Sequence, residues 1–209
     1  HTAINPTELS SSELLQLARA GDAASVGALL SKYGNYMEVI TQAQLDARVR
    51  RRVSSSDVVQ ETMLEAHRDF EKFSGSTLAE FTGWLRKILI NNLARTVETH
   101  LLAAKRDVRQ ERSLEDANDA LSRSHLRIES MLSDHARSPA SEADHQESLV
   151  EMANAIADLP TEYREVIVLR HIEGLPFNRV AERMKRTPGA ARMLWMRAIE
   201  RLRETMNQR

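Results

Sequence analysis

Asp57, Gln60, Glu61 and Leu64 recur at i, i+3, i+4 and i+7, so a helix carries them on one stripe. Two carboxylates, an amide and one apolar side chain on one stripe suit contact with a basic partner helix. A plain solvated face is one alternative. An acid–base or metal pair of Asp57 with Glu61 is another, but no histidine completes such a site. Near the carboxy terminus, Ala191, Trp195, Ala198 and Leu202 are spaced 4, 3 and 4 apart and share one helix face. The opposite face then presents Arg192, Met193, Met196 and Arg197, with Arg186 and Thr187 at its start. An arginine fork grips guanine or phosphate in two bonds, so this face suits nucleic acid. A three-helix bundle with a merely wet arginine face is the alternative.

The net charge of -1 conceals how charge is distributed. Residues 179–203 hold eight basic against two acidic side chains, and residues 86–112 hold seven against three. Between them, residues 115–145 hold seven acidic against three basic. Such local patches, not the total, decide contact with a polyanion. No enzymatic chemistry is indicated. The chain has no cysteine, which excludes disulfides, thiolate nucleophiles and Cys-ligated metal sites. Its seven histidines are scattered without ligand spacing, and no glycine-rich phosphate loop or nucleophile elbow occurs. No catalytic residue, metal or cofactor is expected.

The elements that must position these groups are helices. Glycine and proline total 12 of 209 residues, about half of ordinary usage, and no alternating strand pattern appears. A short helix is read over 13–20, behind Ser10–Ser12 as caps. One longer helix carries Val26, Leu29, Leu30, Tyr33 and Met37. A third begins at Ser56 or Asp57 as its cap and ends near Phe73–Gly75. A fourth holds the stripe Phe81, Trp84, Leu85, Ile88, Leu89 and Leu93, where Trp84 reads as core. Residues 113–145 are rich in Ser, Asp, Ala and Glu, with sparse apolar residues. They read as a linker with one weak helix rather than a packed layer. Helices then follow up to Pro160, from Thr161 to Ile172, around Val180–Met184, and from Thr187-Pro188 to Met206. The last three make a helix-turn-helix pattern. No apolar run reaches the ~18 residues of a membrane span, and no charged-then-apolar leader opens the chain. A soluble, cytoplasmic protein is expected.

Asp57-Val58-Val59-Gln60-Glu61-Thr62-Met63-Leu64, followed by Phe81-Thr82-Gly83-Trp84-Leu85-Arg86-Lys87-Ile88 and Asn91, resembles the second conserved region of bacterial extracytoplasmic-function (ECF) sigma factors. Leu159-Pro160, Tyr163–Val166, Glu173-Gly174 and Arg197-Ala198-Ile199 resemble the fourth region of that family. The resemblance covers roughly 13–112 and 146–206. It implies an all-α protein of two small helical domains: 1–112, which docks on polymerase and reads and melts the nearer promoter element, and 146–209, a helix-turn-helix domain for the farther one. A flexible acidic linker, 113–145, joins them and threads toward the polymerase channels.

The resemblance also implies roles. Asp57, Gln60, Glu61 and Leu64 dock on the clamp helices of the largest subunit of core RNA polymerase. Phe73, Ser76, Thr77 and Asn91 hold an unstacked base of the nearer element, while Lys87, Arg95, Lys105, Arg106 and Arg109 hold phosphates. Arg186, Thr187, Arg192, Met193, Met196 and Arg197 read the farther element. Leu194 occupies an outward position that the family commonly fills with a basic residue. Core polymerase and promoter DNA are the implied partners, with an anti-sigma factor or a kinase as a further one and no membrane insertion. Three other readings stay open. A stand-alone helix-turn-helix regulator would bind a palindromic operator by itself. An interaction protein would bind polymerase without DNA, and a hydrolase lacks any catalytic constellation to support it.

Overall fold

The computed structural model describes residues 9–44, 54–101, 109–135 and 141–208, and every regular element within them is helical. Arg48–Arg52, Lys105, Arg106 and Ser138-Pro139 lie outside the described residues, as does the side chain of Arg109. The helices are α1 (Ser11–Arg19), α2 (Ala23–Lys32), α3 (Gly34–Gln44), α4 (Ser55–Asp69), α5 (Leu78–Leu101), α6 (Arg109–His135), α7 (Glu142–Ala157), α8 (Thr161–Ile167), α9 (Phe177–Met184) and α10 (Pro188–Asn207). A 3₁₀ turn, Phe70–Lys72, closes α4, and a π-helical turn, Val168–Ile172, continues α8.

Local chemistry sets most boundaries. Ser10 and Glu13 form a reciprocal capping box at α1, and the Asp22 carboxylate accepts from the Ser25 N–H at α2. Ser141 and Thr187 cap α7 and α10 in the same way, the latter followed by Pro188 in the first turn. Two expectations are corrected. Ser54, not Ser56 or Asp57, caps α4, its hydroxyl accepting from the Ser56 N–H at 3.2 Å. The stripe from Val26 to Met37 is two helices, because the chain turns at Tyr33. Tyr33 and Met37 are still both buried, since the turn keeps them facing the same interior.

Helices α2–α5 enclose one part of the core, around Leu29, Tyr33, Tyr36, Ile40, Phe81, Leu85 and Leu89. Helices α7–α10 enclose the other, around Met152, Ile156, Val166, Ile167, Val180, Ala198 and Leu202. Burying each Leu- or Phe-sized side chain is worth about 1.5–3 kcal/mol. The buried residues form one continuous cluster: α7 packs directly on α3 and α5, and α6 lies across the junction. This corrects the reading of 113–145 as lacking a packed layer. Leu121, Ser124, Ile128 and Met131 lie at i, i+3, i+7 and i+10 of α6 and are all buried. The hydroxyl of Ser124 accepts from Gln44 of α3 at 2.7 Å and donates to the Ile172 carbonyl at 3.3 Å. Arg127 donates to the same carbonyl at 2.9 Å. Its guanidinium lies against Gly174, whose φ of +73 is strained for any residue with a Cβ.

Where α3, α6 and α7 meet, the Tyr36 hydroxyl donates to Nδ1 of His125 at 2.9 Å. His125 and His145 both reach the Glu129 carboxylate through Nε2, at 3.2 and 3.3 Å. Burial holds the Tyr36 phenol protonated. Burial, and then the nearby Arg86 of α5, push the His125 pKa down against the opposing pull of Glu129. A proton on Nδ1 would also take away the acceptor that Tyr36 uses. The unfolded chain takes up that proton near pH ~6.5, whereas the folded chain resists it. Stability is therefore expected to fall as pH drops below about 6.5. Thermal melts at pH 7.5 and 5.5 check this, and a His125→Gln variant is expected to show a smaller difference between them.

Candidate nucleic-acid interface

Helix α4 turns Val58, Val59, Thr62 and Ala66 inward and leaves Asp57, Gln60, Glu61 and Leu64 exposed. Leu64 is 68% exposed. All four residues of the expected docking stripe thus share one outer face. The inner side is rigid: the Thr62 hydroxyl donates to the Val58 carbonyl at 2.7 Å and accepts from buried Asn92 of α5 at 3.3 Å.

Lys87, Asn91 and Arg95 follow one another at i, i+4 and i+8 on the outer side of α5, and all three are exposed. Arg95 stands 3.7 Å from Glu65 of α4. The loop before α5 carries the other expected contacts. Phe73 is half-buried among Phe70, Phe81 and Trp84, with ring centroids 5.8, 5.8 and 5.3 Å away, and Trp84 joins that core as expected. Ser76 and Thr77 are exposed but already engaged. One oxygen of Glu80 accepts from the Ser76 N–H at 2.8 Å and from the Thr77 N–H and hydroxyl at 3.0 Å each. The Thr77 hydroxyl in turn accepts from the Glu80 N–H at 3.2 Å. These bonds, led by that from the Ser76 backbone, hold the Glu80 carboxyl below the usual range. Glu80 is a residue that sequence reasoning missed. Its signal was the Thr-x-x-Glu capping pattern at 77–80.

At the carboxy end, α9 and α10 form the two helices of the turn motif. Lys185 bridges them with φ +53, a left-handed conformation that a non-glycine residue adopts at some cost. Arg192, Met193, Met196 and Arg197 are all exposed, the two methionines by 51% and 52%. The Arg192 guanidinium lies over the Phe177 ring, 5.3 Å from its centroid. Arg186 is paired with Glu162, and Thr187 spends its hydroxyl on the Ala190 N–H. Leu194 is corrected from an outward to an inward position, 8% exposed, because α10 buries Ala191, Leu194 and Ala198 along one seam. Of the expected site residues, the structure brings together the α4 stripe, the three on α5 and the four on α10. Arg106 lies outside the described residues. Among the described residues, no group of three or more His, Asp or Glu side chains can hold a metal ion, and no helix is long and apolar enough to cross a membrane.

These two faces sit inside recognisable segments. Residues 43–100 match the family model of sigma-70 region 2, and residues 149–202 match that of sigma-70 region 4. The chain is 29% identical over 194 residues to an ECF RNA polymerase sigma-E factor of Haemophilus influenzae, covering 92% of this chain and 93% of that protein. It is also 29% identical over 199 residues to an RNA polymerase sigma-H factor of Pseudomonas aeruginosa, covering 93% and 92%. An all-helical chain with region 2 and region 4 in this order is of the sigma-70 class. It belongs to the ECF sigma factor family.

Proposed function

We propose that the chain is a sigma factor that binds core RNA polymerase and directs it to promoters through two DNA elements. The observation that carries this is one of position. The exposed α4 stripe lies within the region 2 match and the exposed α10 face within the region 4 match. Asp57, Gln60, Glu61 and Leu64 then dock on the clamp helices of the largest subunit. Lys87, Asn91 and Arg95, with the loop at Phe73, Ser76 and Thr77, face the nearer element, and Arg106 extends that basic run. Arg186, Thr187, Arg192, Met193, Met196 and Arg197 read the farther element. Residues 1–112 and 146–209 act as the two reading domains, and the acidic 113–145 segment runs toward the polymerase channels. An anti-sigma factor or a kinase would regulate the assembly. Each reading domain is weak alone, and the pair gains avidity when both elements stand at the right separation.

Reconstitution with bacterial core polymerase and run-off transcription on a set of candidate promoters tests this. A Gln60→Ala/Glu61→Ala double variant removes two exposed groups without touching the core. It is expected to keep its helicity, to lose about 100-fold in core affinity (roughly 3 kcal/mol) and to give no specific transcripts. Neither co-elution nor transcripts from the wild-type chain, with polymerase of its native host, would overturn the reading in favour of a stand-alone regulator.

A further inference from the structure

The chain carries eight methionines and no cysteine, so no thiol competes with methionine sulfur for an oxidant. Burial sorts the eight. Met37, Met131 and Met152 are buried, and Met63, Met184 and Met206 are half-buried against the core. Met193 and Met196 are each more than half exposed. They stand three residues apart on the outer face of α10, within the region 4 match, with Arg192 and Arg197 on either side. An oxidant in solution therefore meets this pair before the others.

The same face decides what a sulfoxide does there. A thioether is apolar and adaptable, and it suits contact with the methyl group of thymine. A sulfoxide presents an oxygen that only accepts hydrogen bonds. In the major groove guanine shows N7 and O6, adenine N7 and thymine O4, all acceptors, so that oxygen meets few donors. A desolvated acceptor without a donor is unfavourable. Spacing adds a second effect. Arg192 and Met196 are i and i+4 of α10, and so are Met193 and Arg197, which makes each sulfur the neighbour of one guanidinium. A sulfoxide oxygen at either position accepts from that arginine and withdraws it from phosphate or guanine. The buried seam of Ala191, Leu194, Ala198 and Leu202 lies on the opposite flank, so the packing of α10 is untouched.

We propose that Met193 and Met196 are an oxidation site that switches off reading of the farther element, with a peroxide as the oxidant. The sulfur lone pair attacks one peroxide oxygen. The S–O bond forms as the O–O bond breaks, and the departing oxygen takes the proton of the transferred one and leaves as water. Sulfur is oxidised and the peroxide reduced, two electrons changing hands. Thiol-dependent methionine sulfoxide reductases, one for each sulfoxide epimer, reverse the step and release the oxygen as water. The proposal rests on the sigma-factor reading for its consequence, but the selective oxidation stands on the exposures above.

The full-length chain is treated with a limiting dose of hydrogen peroxide, then digested and weighed by mass spectrometry. Met193 and Met196 are expected to gain oxygen at least about fivefold faster than Met37, Met131 or Met152. Holoenzyme rebuilt from the oxidised chain is expected to bind a promoter carrying both elements about tenfold more weakly, and the reductases to restore binding. Co-elution with core polymerase is expected to persist, since the docking stripe of α4 holds no methionine. A Met193→Leu/Met196→Leu variant, at whatever promoter affinity it starts from, is expected to change less than about twofold on the same treatment. Oxidation spread evenly over the eight methionines, unchanged promoter binding by the oxidised chain, or an equal loss in the leucine variant overturns the proposal. If the untreated chain neither binds core polymerase nor gives transcripts, the sigma-factor reading fails instead. Retention of the free chain on duplex DNA before and after peroxide then decides the switch: a loss that the reductases reverse supports it, and equal retention overturns it.

Discussion

Reversing Arg192 and Arg197 to glutamate is expected to lower holoenzyme affinity for a cognate promoter by about 300-fold, or roughly 3–4 kcal/mol, at near-physiological salt. Both guanidinium groups sit on the outer face of α10, and the ring of Phe177 already holds that of Arg192 in place. The Arg192 guanidinium is therefore oriented before DNA arrives, which reduces its ordering cost on binding. Each phosphate left without its arginine also takes about 0.9 from the dependence of log affinity on log salt, so the slope should shrink by roughly 2 if both residues touch phosphate. A base-edge contact would instead relax specificity at one position and leave the slope alone. Filter binding across a salt series, on promoters altered at single positions of the farther element, separates the two. The same reversal at Arg123, exposed on α6, should change affinity by less than threefold.

Phe81→Ala should be the most damaging single change to the fold. Phe81 is fully buried, and its ring stands 5.2 Å from Tyr33, 5.8 Å from Phe73, 5.9 Å from Trp84 and 6.4 Å from Phe70. The Tyr33 and Phe73 contacts are edge-on, which adds to the area buried. Truncation should cost about 3–5 kcal/mol, a large share of the ~5–15 kcal/mol that holds a domain together. Thermal and urea unfolding should show a melting point lower by roughly 8–16 °C. It should also free Phe73, and with it the loop at Ser76 and Thr77, so DNA reading weakens even below the melting point. Leu64→Ala is the contrast. At 68% exposure it should leave stability within about 0.5 kcal/mol while weakening the dock on core polymerase.

The same contrast explains what could be read early. The exposed stripe on α4 and the outward arginines of α10 follow from spacing of three and four, a property internal to one helix. Thr187-Pro188 and Ser10–Glu13 likewise act within a single turn. The α6 layer was legible only in part. Leu121, Ile128 and Met131 look sparse until Ser124 is counted with them, and Ser124 reads as a surface residue until Gln44 and the Ile172 carbonyl are placed beside it. Leu194 went the other way, because the angle at which α10 seats decides which flank of its seam is covered.

The helical class, the order of the two conserved segments and the outward faces of α4 and α10 were legible along the chain, since caps and periodicity are local. Only the tertiary structure decided that the two domains are joined through α6 and α7. Ser11 and Glu147 are 136 residues apart, and Asn35 and Asn154 are 119 apart. Each pair is brought together by the fold alone, and Asn35 stays exposed even so, so no pattern along the chain announces the contact.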